Sequence, residues 1–455
     1  MRKYFGTDGI RRIANTELSP NLVFRVAKAG ASVLSKHTDH MPTIFIGRDT
    51  RISGTLIESA MIAGFLSYGA NVKTLGVIPT PAVAYLTKKY NADASVVISA
   101  SHNTFEFNGV KYFSNKGMKI SDELEEEIEE IMDSDEKLTE LTAVSENIGI
   151  SENAENMIED YIDFIVGIFH GSITKNKRDD FRVLIDTANG ATYKVADKIF
   201  KRLGINHDII NNEPNGININ NNCGSTHIEG LQKLVIDNKL DIGFAYDGDA
   251  DRCLAVDEKG NEIDGDIMLA IASNYLKKEG KLAKDTLVAT VMSNLGLNKF
   301  SEKNGINFKQ TKVGDRYVLE EMLKNGYNLG GEQSGHIIYL DYNPTGDGIL
   351  TSLMLIQILL ETNQKPSEAR KVVNIYPQVL INAKVNSEKK MDYDKDSEIK
   401  EAIEKVSKEF AGNGRVLIRP SGTEPLVRVM IEGENQEIIT EKAKEIAELI
   451  EKKLK

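Results

Sequence analysis

The sequence predicts an α/β protein of several domains, three of them similar. Short apolar runs alternate with helical patterns along most of the 455 residues. The composition, 41% hydrophobic and 27% charged, is that of an ordinary globular chain. At ~150 residues per domain, the length allows three domains or four small ones. Alternation of strand and helix builds layers around largely parallel sheets, which present ligands at the carboxyl ends of their strands. Whole-chain disorder, collagen-like repeats and coiled coil are excluded by the same figures.

Buried strands are expected at Thr43–Ile46, Ala94–Ile98, Phe181–Ile185, Asp241–Ala245 and Thr286–Val291, each bounded by polar or Gly-containing turns. Helices are expected between them, as at Leu56–Leu66 and Tyr161–Ile168. Asp122–Glu130 holds seven acidic residues, with Leu124, Ile128 and Ile131 at helical spacing, and reads as a solvated helix face. The basic run Lys175–Arg178 reads as a linker. Further boundaries fall after Asp257 and near Lys365–Pro366, beyond an apolar helix at Ile349–Leu360. The remainder is α+β, with strands at Gln378–Val385, Arg415–Ile418 and Leu426–Glu432 and helices at Ser397–Phe410 and Gln436–Leu454. The resulting domains are 1–155, 156–257, 258–366 and 367–455. No short-period repeat is visible, but the first three blocks are similar in size.

Charge and cysteine usage exclude several function classes. With 56 basic and 68 acidic residues the net charge is −12, against general nucleic-acid binding. The longest apolar stretch, Leu353–Leu360, is interrupted by Gln357 and falls short of the ~18–20 residues that span a bilayer. No apolar leader opens the chain. Cys223 and Cys253 allow at most one disulfide and form no C-x-x-C pair. A cytoplasmic protein without membrane or nucleic-acid partners is expected, with buried structural thiols. Monomer and homodimer both stay open.

Four loops carry chemistry. Asp247-Gly-Asp249-Ala-Asp251-Arg252 spaces three carboxylates with only small residues between them. At ~4 Å and an effective dielectric of ~20, each like-charge pair costs about 4 kcal/mol. A hard divalent cation removes that cost, and all-oxygen ligation suits Mg²⁺ or Ca²⁺. As a calcium loop the segment places Glu258 correctly but puts Arg252 where glycine is required. Ser99-Ala-Ser101-His102-Asn103 offers a hydroxyl nucleophile at a strand end, or a simple cap. Lys111 follows closely as a candidate acid or base. No G-x-S-x-G elbow supports acyl hydrolysis. Gly330-Gly-Glu332-Gln-Ser334-Gly-His336 carries hydroxyl-binding side chains and an imidazole, or forms a tight turn. Arg419-Pro-Ser421-Gly422-Thr423-Glu-Pro425, with Arg428 beyond, has the make-up of a phosphate nest.

Together these loops imply phosphoryl transfer on a phosphorylated sugar, and the sequence resembles the α-D-phosphohexomutase superfamily almost from end to end. The resemblance includes Tyr4–Arg11, Gly47–Gly54, Asn215–Ile219, Cys223–His227, Met292–Leu295 and Val313–Val318 besides the four loops. It implies a heart-shaped molecule in which three α/β domains with mixed sheets and a smaller C-terminal α+β domain enclose a central cleft. By the same resemblance Ser101 carries a phosphoryl group. Mg²⁺ is held by Asp247, Asp249, Asp251 and a phosphate oxygen on Ser101. Glu332 and Ser334 hold sugar hydroxyls. Arg419, Ser421, Gly422, Thr423 and Arg428 grip the non-reacting phosphate. Arg11, Lys111, Arg252 and His336 surround the reacting groups, and either Lys111 or His336 handles the hydroxyl proton. The implied reaction is an isomerisation through a hexose 1,6-bisphosphate. The Gln333 form of the sugar loop and the Cys223–His227 segment point to the amino-sugar branch, so that the bisphosphate is that of a hexosamine. A mutase of neutral hexose phosphates and a metal-dependent sugar-phosphate phosphatase stay open. Arg12 and Thr104 depart from the family's usual glycine and proline.

Overall fold

A computed structural model describes residues 3–6, 8–176, 178–421 and 425–455. Two compact units divide the chain: Met1–Met292 with Gly305–Val372, and Ser293–Asn304 with Val373–Lys455.

The first unit holds three sheets built on one plan. The first runs in the order Ile10–Ile13, Phe107–Ser114, Ala94–Ile98, Thr43–Arg48, Asn71–Val77, Ser151–Asn153. The second runs Glu262–Ile263, Cys253–Asp257, Ile242–Tyr246, Arg182–Asp186, Asn206–Ile210, and the third Asn307–Thr311, Thr286–Thr290, Leu329–Gly331, Ile337–Tyr339. In each, a parallel core ends in an antiparallel pair: Ile98 opposite Val110, Tyr246 opposite Cys253, Gly331 opposite Ile337. The expected strands are therefore present, and the sheets are mixed, as the family resemblance implied, rather than largely parallel, as strand–helix alternation alone implied. Two kinds of strand were missed: those that return directly through a loop and are buried on both faces, as at Cys253–Asp257, and those that follow a helix, such as the half-exposed edge strands Asn206–Ile210 and Asn307–Thr311, which carry few apolar residues. The Glu262–Ile263 strand keeps the second sheet going beyond Asp257.

Packing explains the helices. Gly54–Tyr68 and Pro20–Leu34 bury Ile57, Met61, Phe65, Val23 and Val26 in one core with Ile44, Ile46, Val96 and Ile98. At ~25 cal/mol per Å² of apolar area removed from water, each such aliphatic side chain contributes about 1.5–3 kcal/mol. The helix Ile158–Lys175 runs through the start of the expected linker, and Lys177 lies outside the described residues.

The acidic helix, Asp122–Met132, corrects the expectation of a purely solvated face. Glu125 and Glu129 are buried. Glu129 accepts the backbone N–H groups of Lys3, Tyr4 and Phe5 at 2.7, 2.6 and 2.8 Å, tying the N-terminal segment down. Acids in the first turn also complement the helix dipole.

The second unit has its own core of Val427, Val429, Ile431, Ile399, Ile439, Ile446 and Ile450. Its sheet runs Gln378–Lys384, Leu426–Gly433, Gly414–Pro420, all antiparallel, with helices Ser397–Glu409 and Gln436–Leu454. The helix Leu295–Lys303 belongs to this unit. Asn294 exchanges two 2.9 Å bonds with the backbone of Tyr376, and Leu295 N–H donates to Glu432. Among the described residues no helix is long and apolar enough to cross a membrane.

Candidate active site

All four loops read from the sequence prove to be tips of antiparallel hairpins. A hairpin tip at the end of a buried strand is fixed at its base yet frees its apex from sheet pairing, so that its side chains and backbone can meet other groups, which suits a binding loop.

The first tip follows Ala94–Ile98, buried at every position. Ser101 lies at φ +51°. Its N–H donates to Ser99 Oγ at 2.9 Å, and its own hydroxyl donates to Asp247 Oδ2 at 2.6 Å. The tertiary fold thus joins two loops 146 residues apart. His102 Nδ1 lies 3.4 Å from Ser101 Oγ and accepts from Arg252 Nη1 at 3.1 Å. Burial, then the Arg252 and Arg11 charges, push His102 down to about 4. The ring is neutral at physiological pH.

The second tip joins Tyr246 to Cys253 and gathers Asp247, Asp249 and Asp251, with one oxygen from each lying within 4.8 Å of the others. All three are buried. Asp249 Oδ2 accepts from Thr80 Oγ1 at 2.6 Å and from Lys111 Nζ at 2.9 Å. Asp249 Oδ1 and Asp251 Oδ1 are buried without a hydrogen bond. Burial, then the charges of Asp251 and Asp249, hold the Asp247 carboxyl well above the usual carboxylate range. Burial also opposes ionisation of Asp251, but Lys111, His336 and Arg252 outweigh it and pull that group down. Crowded carboxylates with unbonded oxygens fit a hard divalent cation, which takes those oxygens as ligands and neutralises the repulsion.

An ion chain leads from this loop to His336 of the third loop. Lys111 Nζ is 3.0 Å from Asp8, which also meets Arg11 at 3.0 Å and Lys119 at 2.5 Å. Lys119 reaches Asp315 at 2.6 Å, and Asp315 lies 3.3 Å from His336 Nε2. Although burial opposes its charge, Asp249, Asp8 and Asp251 keep Lys111 an ammonium well above the lysine range. That argues for a fixed positive charge rather than a base. Asp8, Lys119 and Asp315 carry no assigned role in the sequence reading. Asp8 and Asp315 stood inside resemblance segments, but nothing local marked Lys119.

The third tip joins Gly331 to Ile337. Glu332 Oε1 accepts Gly314 N–H at 3.2 Å, and burial, then the Asp315 charge, push its carboxyl up. Ser334 is exposed. Gln333 Nε2 donates to Asp264 Oδ2 at 3.2 Å. Gly335, at φ +89°, has its carbonyl bonded by Cys253 N–H, and a Cβ there would lie 2.1 Å from Cys253 O. Only glycine lets the second and third hairpins touch. The Cys223–His227 segment lies against the same strand end, with Ser225 N–H donating to Tyr246 O at 3.0 Å. Both cysteines are free and buried, and burial pushes the Cys223 thiol up to about 12. Arg12 occupies an ordinary strand position opposite Asn108 and donates to Lys3 O at 3.0 Å.

The fourth tip belongs to the second unit. Arg419 and Arg428 are directly opposed across two strands. Like charges in that register repel. Burial, then Arg428, lower the Arg419 pKa, and Arg419 Nε is buried without a hydrogen bond. Lys390 Nζ donates to Ser421 O at 2.9 Å, adding a third cation that the sequence reading missed. An oxyanion relieves this repulsion. Gly422 and Thr423 lie outside the described residues.

Comparison with known proteins gives a consistent match. Models of phosphoglucomutase/phosphomannomutase α/β/α domains I, II and III match residues 2–139, 159–260 and 264–376, and the model of the C-terminal domain matches 380–449. The phosphoglucosamine mutase of Ruminiclostridium cellulolyticum is 54% identical over all of both chains. Among solved structures, a phosphoglucomutase/phosphomannomutase family protein from Burkholderia thailandensis superposes with TM-score 0.80 at 21% identity, covering 99% of this chain and 98% of that one. N-acetylphosphoglucosamine mutase of Aspergillus fumigatus, solved with GlcNAc-6P and magnesium, superposes with TM-score 0.67 at 16% identity, covering 100% and 96%.

Proposed function

The chain belongs to the phosphoglucomutase/phosphomannomutase family, and from that premise we propose that it interconverts glucosamine 6-phosphate and glucosamine 1-phosphate. The observation that carries the reading is the 2.6 Å bond from the Ser101 hydroxyl into a buried loop of three carboxylates. Full-length identity of 54% to a phosphoglucosamine mutase supports the amino sugar as substrate.

In this reading Ser101 carries a phosphoryl group. Its P–Oγ bond breaks as a new P–O bond forms to the sugar O1, giving a hexosamine 1,6-bisphosphate. The bisphosphate turns over, the P–O6 bond breaks, and the phosphoryl returns to Ser101. Asp247, Asp249, Asp251 and a phosphoserine oxygen would hold Mg²⁺, which supplies charge neutralisation at the transferring group. Lys111 and Arg252 add fixed positive charge beside it. His336 takes the proton from the attacking hydroxyl and returns it to the departing oxygen, the role that Lys111, held as an ammonium, fills poorly. Glu332 and Ser334 orient the sugar hydroxyls. Arg419, Ser421, Gly422, Thr423 and Arg428 grip whichever phosphate is not reacting, with Lys390 beside them. We further propose the domain boundaries at 155, 257 and 366, and cytoplasmic residence.

The test is kcat/KM measured side by side on glucosamine, glucose and mannose 6-phosphates. Glucosamine 6-phosphate is expected to lead by at least tenfold. Preference for a neutral hexose would assign the substrate elsewhere in the family, and release of inorganic phosphate in place of isomer would indicate a phosphatase.

A further inference from the structure

The nucleophile loop is gripped at two carbonyls by side chains from other parts of the first unit. Asn220 Nδ2 donates to Ser101 O and to Asn103 O, each at 2.8 Å. Arg51 Nη2 donates to the same two oxygens, reaching Ser101 O at 3.2 Å. Arg51 is itself fully buried against Asp49, whose Oδ1 accepts the Arg51 N–H at 3.0 Å. Asn220 is 2% exposed, stands at φ +54°, and is fastened through its N–H to Ala188 O at 3.0 Å. On the far side a Cβ at Gly248 would lie 2.7 Å from Ser101 O and 2.9 Å from Asn220 Nδ2. The metal hairpin thus closes down on the clamp.

This arrangement answers a question that the Ser101 backbone poses. A left-handed conformation costs a residue with a Cβ roughly 1–2 kcal/mol. It persists only where surrounding bonds over-determine it, commonly at functional sites. Four donations onto two carbonyls flanking His102 do so here, and they leave the Ser101 hydroxyl aimed at Asp247.

We propose that Asn220, backed by Arg51, is a positioning residue for phosphoryl transfer, its amide holding Ser101 in the left-handed conformation that presents Oγ to the three-carboxylate loop. The inference rests on the reading of Ser101 as phosphoryl carrier. Asn220 touches no reacting atom; it acts through the two carbonyls.

Asn220→Gly tests it, because glycine keeps the left-handed backbone without strain and removes only the amide. The expected result is a kcat lower by roughly 10- to 100-fold, the scale on which a small misplacement of a reacting group is felt, with KM within about twofold of the parent. Transfer from a hexose 1,6-bisphosphate onto dephosphorylated Ser101, followed by intact-protein mass spectrometry, is expected to slow in proportion. Asn220→Asp, which turns the donor into an acceptor facing both carbonyls, carries the same expectations should the glycine variant not fold. Loading of Ser101 at the parental rate overturns the clamp, as does a loss of kcat matched by the fraction unfolded. Ser101→Ala run alongside separates the two readings. If it is inactive while Asn220→Gly is normal, only the clamp fails; if it is active, the phosphoryl-carrier reading itself fails.

Discussion

At position 101 a side chain of modest intrinsic reactivity meets an environment that accounts for its assignment. A serine hydroxyl is a weak nucleophile, but here it is 1% exposed, conformationally fixed, and bonded to a carboxylate that burial and two neighbouring charges hold above its usual range. Ser101→Ala is expected to reduce steady turnover by roughly 10³-fold or more in a coupled assay, since no second hydroxyl replaces Oγ. Arg419→Ala belongs to the same scale. A charge-assisted hydrogen bond is worth about 1.5–3 kcal/mol, so KM for the sugar phosphate is expected to rise roughly 10- to 150-fold, with metal affinity unchanged by calorimetric titration. The aspartate triad was legible because spacing alone forces its carboxylates together. Lys119 and Asn220 were not. Each earns its place only when tertiary contacts bring it to Asp8 and Asp315, or to the Ser101 carbonyl, and no local pattern encodes that.

At the scale of elements, strand ends were easier to read than the connections between them. Ala94–Ile98 was found at its exact bounds, because a run of five apolar or small residues with polar turns on either side has one reading. Both strands of the hairpin Gly414–Pro420 and Leu426–Gly433 were expected, but the returning strands Phe107–Ser114, Cys253–Asp257 and Ile337–Tyr339 escaped notice because a strand covered on both faces lacks alternation. Glu129 shows the converse: a carboxylate in an acidic run looks solvated until its backbone partners, 124 to 126 residues away, are known. The helix Gly348–Thr362 offers a test by pH. Its N-cap, Asp347, accepts from Leu350 N–H at 3.0 Å and lies 2.9 Å from Tyr161 Oη. Burial outweighs these donors and pushes the carboxyl from 3.8 up to about 6. Native protein then binds the proton more tightly than the unfolded chain does. Its contribution is full below 3.8 and is lost as pH rises through about 6. Urea melts are expected to show that the stability of the parent relative to Asp347→Asn falls with rising pH across this window, by on the order of 2–3 kcal/mol, and is flat above it.

Across the whole molecule, the three sheets of the first unit repeat one topology and give each of their hairpin tips a different chemistry: a hydroxyl, a carboxylate cage, and a glutamate and serine with an imidazole. The second unit contributes opposed guanidinium groups on a hairpin of its own. A cage that is costly without a cation predicts linkage between metal and stability. Mg²⁺ at a hundredfold excess over its Kd is expected to stabilise the protein by about 2.7 kcal/mol, read as a raised Tm that chelator reverses and Asp249→Asn abolishes. Passage of the phosphoryl group through Ser101 is decided by isotope. Enzyme carrying a radiolabelled phosphoryl on Ser101 is mixed with unlabelled glucosamine 6-phosphate for a single turnover. The label is expected to leave the protein and appear in the phosphate of glucosamine 1-phosphate. Label retained on the protein while product forms, or released as inorganic phosphate, would contradict it.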